Sequence, residues 1–181
     1  MPVTGPAQLD RPKRLLALFT ARAVTLQEIP RLIEVCSNAY AEETPGASLE
    51  VTEVVDGEPI FELEATPGAL LKESEIILRV HRLDDPKSDH RAVLDRMHHI
   101  DEEIGGIAER SLDGAQSYLA LVGTRLLDPG RVRAYLNTGA LIGSALGALF
   151  IDTAAVMVTT DPGEWAEACQ QSLDIETALV R

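Results

Sequence analysis

The spacing of hydrophobic and polar positions changes several times along the chain, and each change marks an element. Arg14 to Arg22 (RLLALFTAR) is a continuous apolar run with basic ends, the pattern of a buried strand. A helix pattern follows at once. Thr25 and Glu28 stand at capping-box spacing, with Val24 and Ile29 placed as the hydrophobic staple. Ile29, Leu32, Ile33, Cys36 and Tyr40 then recur at helical intervals until Thr44, Pro45 and Gly46 end the element. Ser48 to Val55 and Pro59 to Ala65 read as two strands around Asp56-Gly57, a dipeptide suited to a tight hairpin turn. Phe61, Leu63 and Ala65 alternate with Glu62 and Glu64, which predicts one buried face and one acidic face.

Glu75 to Leu83 reads as a further strand. Ser88 or Asp89 caps a helix expected to run to about Ile104, where Gly105-Gly106 stops it. Ser117 to Thr124 is another buried strand. Asp128-Pro129 opens a helix expected to reach about Phe150, because proline suits the first helical position. Thr153 to Thr160 reads as a small-residue strand, and Asp161-Pro162 starts a last helix through Trp165, Ala168 and Cys169. This order predicts a single α+β or α/β domain. Its mixed β-sheet has about six strands, an N-terminal β-α-β-hairpin and covering helices. Residues 13–173 form the domain, 1–12 a flexible lead and 174–181 a C-terminal tail.

Composition narrows the function classes. With 181 residues, 45% of them hydrophobic, the chain can bury a full core without disulfides or a structural metal. Aromatics are only 4%, so that core is mostly aliphatic. The formal charge is −13. Such a surface repels nucleic acid and anionic lipid and favours basic partners or cations. Cys36 and Cys169 sit in no C-x-x-C pattern and read as reduced packing residues of a cytoplasmic protein, although the sequence leaves a long-range disulfide open. The first residues contain no apolar core of signal-peptide length. Ala134 to Ile151 carries no charge, but Asn137, Thr138, Ser144 and three glycines favour a buried helix over a membrane span.

Three constellations are candidates for function. Between Leu32 and Leu71 there are nine carboxylates and no lysine or arginine. Within this tract Glu50, Glu53, Glu62 and Glu64 are the candidate partner-binding residues, on a sheet surface suited to a basic protein; a solvated face that blocks edge pairing is the competing reading. Residues 84 to 103 are rich in Asp, Glu and His. On one continuous helix Asp95, His98 and Glu102 share a face, and His99 neighbours Asp95 and Glu103. Asp95, His98, His99 and Glu102 are therefore the candidate catalytic set of a small metal-dependent enzyme. The spacing matches neither H-E-x-x-H nor E-x-x-H, and no metal or other cofactor is expected.

Gly139, Gly143 and Gly147 form a ladder that flattens one helix stripe for close packing, inside the subunit or against a second copy in a homodimer. A dinucleotide turn at Thr138-Gly139 is disfavoured because Ala145 stands where the signature needs glycine. There is no Walker A loop and no G-x-S-x-G elbow. The leading expectation is a protein-binding module of inhibitor, immunity or chaperone-like type rather than an enzyme.

Overall fold

A long apolar strand close to the N-terminus occupies an inner position of a seven-stranded sheet with helices on both faces. The computed structural model describes residues 14–24, 28, 31–32, 48–55, 58–64, 76–86, 88–123 and 129–179. The strands are β1 (Arg14–Thr20), β2 (Ser48–Val55), β3 (Glu58–Glu64), β4 (Ile76–Arg82), β5 (Ser117–Gly123), β6 (Leu149–Asp152) and β7 (Met157–Thr159). The helices are α1 (His90–Ile100), α2 (Glu102–Ser111), α3 (Pro129–Leu146) and α4 (Pro162–Leu179). Glu28, Arg31 and Leu32 are also helical, and Glu28 pairs with Arg22 at 2.6 Å. The remaining positions of the expected capping box and helix stripe, the Asp56-Gly57 turn and the 1–12 lead lie outside the described residues.

The strand order is β2-β3-β4-β5-β1-β6-β7, with every neighbouring pair antiparallel. The expected mixed sheet is thus corrected to an antiparallel one, and the class to α+β in a single domain. The reason is the position of β1. β5, α3 and β6 do form a strand-helix-strand unit with two strands running the same way, but β1 inserts between them and pairs antiparallel with both. Alternation of elements along the chain signalled parallel strands correctly; it carried no signal that they are not neighbours.

Alternating β1 residues divide between two cores. Leu16 and Leu18 join Leu78, Leu119, Leu121 and Phe150 beneath α3 and α4, which contribute Tyr135, Ile142, Trp165 and Cys169. Ala17 and Phe19 join Tyr118, Ala120 and Ile151 beneath α1 and α2, which contribute Val93, Leu94, Met97 and Ala108. A strand covered on both sides needs apolar residues on both faces, which explains the uninterrupted run from Leu15 to Phe19 between the buried polar ends Arg14 and Thr20.

Four further expectations are corrected. The helix from residue 90 breaks at Asp101, not at Gly105. Asp101 takes an extended conformation, φ −150°, and its carboxylate accepts from Ile104 N at 3.0 Å, so it caps a second helix. Gly105 lies inside α2, where a Cβ would come within 2.6 Å of His98 Cα; glycine there lets α1 and α2 touch. The next helix stops at Leu146 instead of reaching Phe150. Gly147 adopts φ +59° and donates to Ser144 O, while Ala148 N donates to Gly143 O, the closing pattern of a Schellman motif. Finally, 153–156 is a turn between β6 and β7 rather than strand, and residues 174–179, expected as tail, continue α4. Among the described residues no helix is long and apolar enough to cross a membrane.

Candidate functional site

The break at Asp101 redistributes the His and carboxylate cluster. Glu102 belongs to α2, so Asp95, His98 and Glu102 do not share one helix face. Asp95 accepts from Arg91 Nε at 3.2 Å, and Arg91 Nη1 reaches Glu109 Oε1 at 2.9 Å. The other oxygen of Glu109 meets His98 Nε2 at 3.0 Å. His99 and Glu102 are exposed and join none of these pairs. Glu109 is therefore the hub, and the hydrogen bond from Arg91, then that from His98, holds its carboxyl below the usual range. Sequence spacing missed Glu109 because it is a neighbour only after the chain reverses at Asp101. Among the described residues no three His, Cys, Asp or Glu side chains gather as a metal-ligand set.

Beside this cross-helix brace lies an open cleft of about 650 Å³ lined by Leu83, His90, Arg91, Leu94, Glu109, Arg110, Leu112 and Asp113. That volume suits a small molecule. His90 links the cleft to the interior. Its Nδ1 lies 2.8 Å from Ser88 Oγ, and its ring centroid is 6.2 Å from that of Tyr118. Burial, then the Arg91 charge, lowers the His90 pKa, so the ring is held neutral. Tyr118 is fully buried between Phe19 and His81, with ring centroids at 5.2 and 5.8 Å. Burial and the nearby Asp89 carboxylate push its phenol upward, so it too stays protonated.

The described part of the acidic tract lies on β2 and β3, at one end of the strand order. β2 ends the strand order and pairs with β3, placing Glu50 directly opposite Glu62 and Ser48 opposite Glu64. Glu53 stands opposite Ile60, after a register shift that follows Val51. Glu62 is in turn level with Ile77 of β4, and Phe61 with Leu78. Like charges facing one another across strands repel, at a cost of some tenths of a kcal/mol.

The glycine ladder has two roles. At Gly139 a Cβ would come within 2.5 Å of the Trp165 ring and 2.9 Å of Leu16, and at Gly143 it would collide with the Phe150 ring. Both glycines serve packing inside the subunit. Gly147 meets nothing within 4 Å and serves the helix end. The dinucleotide turn has no place here, since Gly139 and Gly143 lie within α3.

A buried polar network under α3 and α4 went unread in the sequence. Asp152 is fully buried; Oδ2 accepts from Trp165 Nε1 at 3.0 Å, and Oδ1 accepts from Ala154 N and Ala155 N at 3.0 and 3.1 Å. It thereby holds the β6–β7 turn, in which Val156 has φ +50°, a strained value for a β-branched residue. Burial, then the Asp152 charge, pushes the Cys169 thiol up to about 12. The chain matches no protein-family model, no curated protein and no solved structure at a significant level.

Proposed function

We propose that this protein is a cytoplasmic protein-binding module whose acidic outer hairpin captures a basic partner, in the manner of an inhibitor, immunity protein or chaperone. The observation that carries the reading is the register that sets Glu50 opposite Glu62 at the edge of the sheet. A basic side chain docking between them would relieve that repulsion. The surrounding tract of nine carboxylates, without one lysine or arginine, adds a field that speeds encounter. The division of the His and carboxylate cluster between two helices removes the shared helix face on which the metal-enzyme alternative rests.

The test compares two double variants, Glu50→Gln/Glu62→Gln and Glu102→Gln/Glu103→Gln, each removing two charges. Capture of immobilised poly-lysine is measured at low and high salt. The reading expects the hairpin variant alone to lose several-fold in association rate, with the difference shrinking as salt rises. Equal losses in both variants would reduce the effect to net charge and remove the hairpin as a site.

A further inference from the structure

Under α3 and α4 two polar side chains are sealed from solvent yet incompletely partnered. Arg14 is 1% exposed. Its Nη2 donates to Ser172 Oγ at 2.9 Å and meets Glu176 Oε1 at 2.8 Å, while Nε and Nη1 find no acceptor among the described residues. Tyr135 is 0% exposed, and its hydroxyl also has no partner there. A continuous chain of contacts joins the two. The Tyr135 ring meets Trp165 edge-on at 5.9 Å, and Trp165 donates to Asp152. Asp152 accepts from Ala154 N, and Ser172, the Arg14 partner, donates to Ala154 O at 3.4 Å. Buried polar groups are almost always hydrogen-bonded to protein or to ordered water.

The orphaned groups define what satisfies them. Glu176 and Asp152, which stands opposite Leu16 on the neighbouring strand, already outweigh the Arg14 charge, so a further anion would deepen a net negative charge. The guanidinium geometry points the same way. A carboxylate or phosphate binds bidentately through two N–H groups on one edge. The edge that Nε shares with Nη2, and the edge that Nη1 shares with Nη2, both include the nitrogen already engaged by Ser172 and Glu176. Nε–H and Nη1–H themselves diverge, so each calls for a single-atom acceptor. A neutral acceptor that can also donate onward is water. We propose that Arg14 and Tyr135 form an internal hydration site, occupied by ordered water that completes the polar network between the sheet, α3 and α4. The inference is independent of the acidic hairpin.

The test uses the full chain. Removing an unpartnered hydroxyl leaves stability unchanged or raises it, whereas removing one bonded to water lowers it. Tyr135→Phe is therefore expected to lower the thermal midpoint by about 2–4 °C. An unchanged or higher midpoint overturns the proposal. In the wild-type protein, water–protein Overhauser experiments should show long-lived water at the Tyr135 ring protons or the Trp165 indole N–H, and silence at both sites overturns it independently of any variant. Replacing chloride with sulfate at constant ionic strength should leave the difference between wild type and variant unchanged. A chloride-specific gain that Tyr135→Phe abolishes would identify an anion instead and refute the assignment of water.

Discussion

The two faces of the sheet solve the same covering problem with opposite treatments of charge. Beneath α3 and α4 the strands present leucines and Phe150, and the charged groups Arg14 and Asp152 are enclosed with them. Beneath α1 and α2 the strands present Ala17 and Ala120 beside Phe19 and Tyr118. There the ion pairs of Arg91 with Asp95 and Glu109, and the hydrogen-bond contact of His98 with Glu109, stay at the surface, next to an open cleft. Enclosed charge has to be fully hydrogen-bonded, and it rigidifies what it touches; surface charge is screened and interchangeable. The sealed face should therefore govern stability, and the open face should respond to mild changes of pH.

The largest expected effect breaks the sealed face. Asp152→Ala strips the acceptor from one buried indole and two backbone amides and should cost about 3–5 kcal/mol. Asp95→Ala on the open face should fall within about 0.5 kcal/mol of wild type. Denaturant unfolding of the two variants decides the matter, and equal losses would erase the distinction between the faces.

Glycine substitution sharpens the same contrast. Gly143→Leu forces a side chain into the Phe150 ring and should destabilise by about 1–3 kcal/mol or more. Gly106→Ala on α2 meets only the flexible end of Arg110, at 3.2 Å, and should stabilise by about 0.5–1 kcal/mol through helix propensity. Thermal melts read both signs.

Titration separates the faces next. His90 has a lowered pKa in the folded state, so the unfolded chain takes up its proton first as pH falls. The stability tied to neutral His90 is complete above about 6.5 and is lost as pH drops through the folded-state value. Thermal midpoints between pH 7.5 and 5.5 should decline, and His90→Gln should flatten that slope. Glu109 contributes only in a lower window, below the ordinary carboxylate range, because its pKa is depressed. On the sealed face Cys169 behaves oppositely. Its raised pKa means that stability is lost only as pH climbs above 9 toward 12. In a Cys36→Ser background, alkylation of native Cys169 at pH 8 should be negligible and should become complete on unfolding.

The smallest effect concerns the edge hairpin. Glu62→Gln removes a like charge at the register position opposite Glu50 and should raise stability by a few tenths of a kcal/mol at low salt, an increment that salt abolishes.

Period and punctuation made much of this fold legible. Apolar continuity located β1, β4 and β5 to within two residues, and Pro129 and Pro162 marked the starts of α3 and α4. What stayed hidden was non-local or depended on one side chain. Nothing along the chain places β1 between β5 and β6. Asp101 read as one acid among many on a helix, yet it splits that helix and pairs Glu109 with His98 and Arg91. Arg14 and Asp152 read as the polar ends of apolar runs, whereas their neighbours in space enclose them. Of the candidate residues, Asp95 sits in an ion pair and His98 in a hydrogen-bond contact, His99 and Glu102 do not join them, and the cleft-lining residues His90 and Glu109 lacked any motif.

The inner position of β1 has a consequence for assembly during synthesis. This strand leaves the ribosome before both of its neighbours, since Leu18 pairs with Leu119 on one side and Phe150 on the other. Both hydrogen-bonding edges of the most apolar segment wait for partners made about a hundred residues later or more, and such long-range closure slows folding. The chain therefore emerges with this apolar strand unpaired, and the sheet closes around β1 only when β6 is in place. A truncation ending before Leu149 would leave one edge of β1 open, which makes the arrival of β6 the step that completes the pairing of β1.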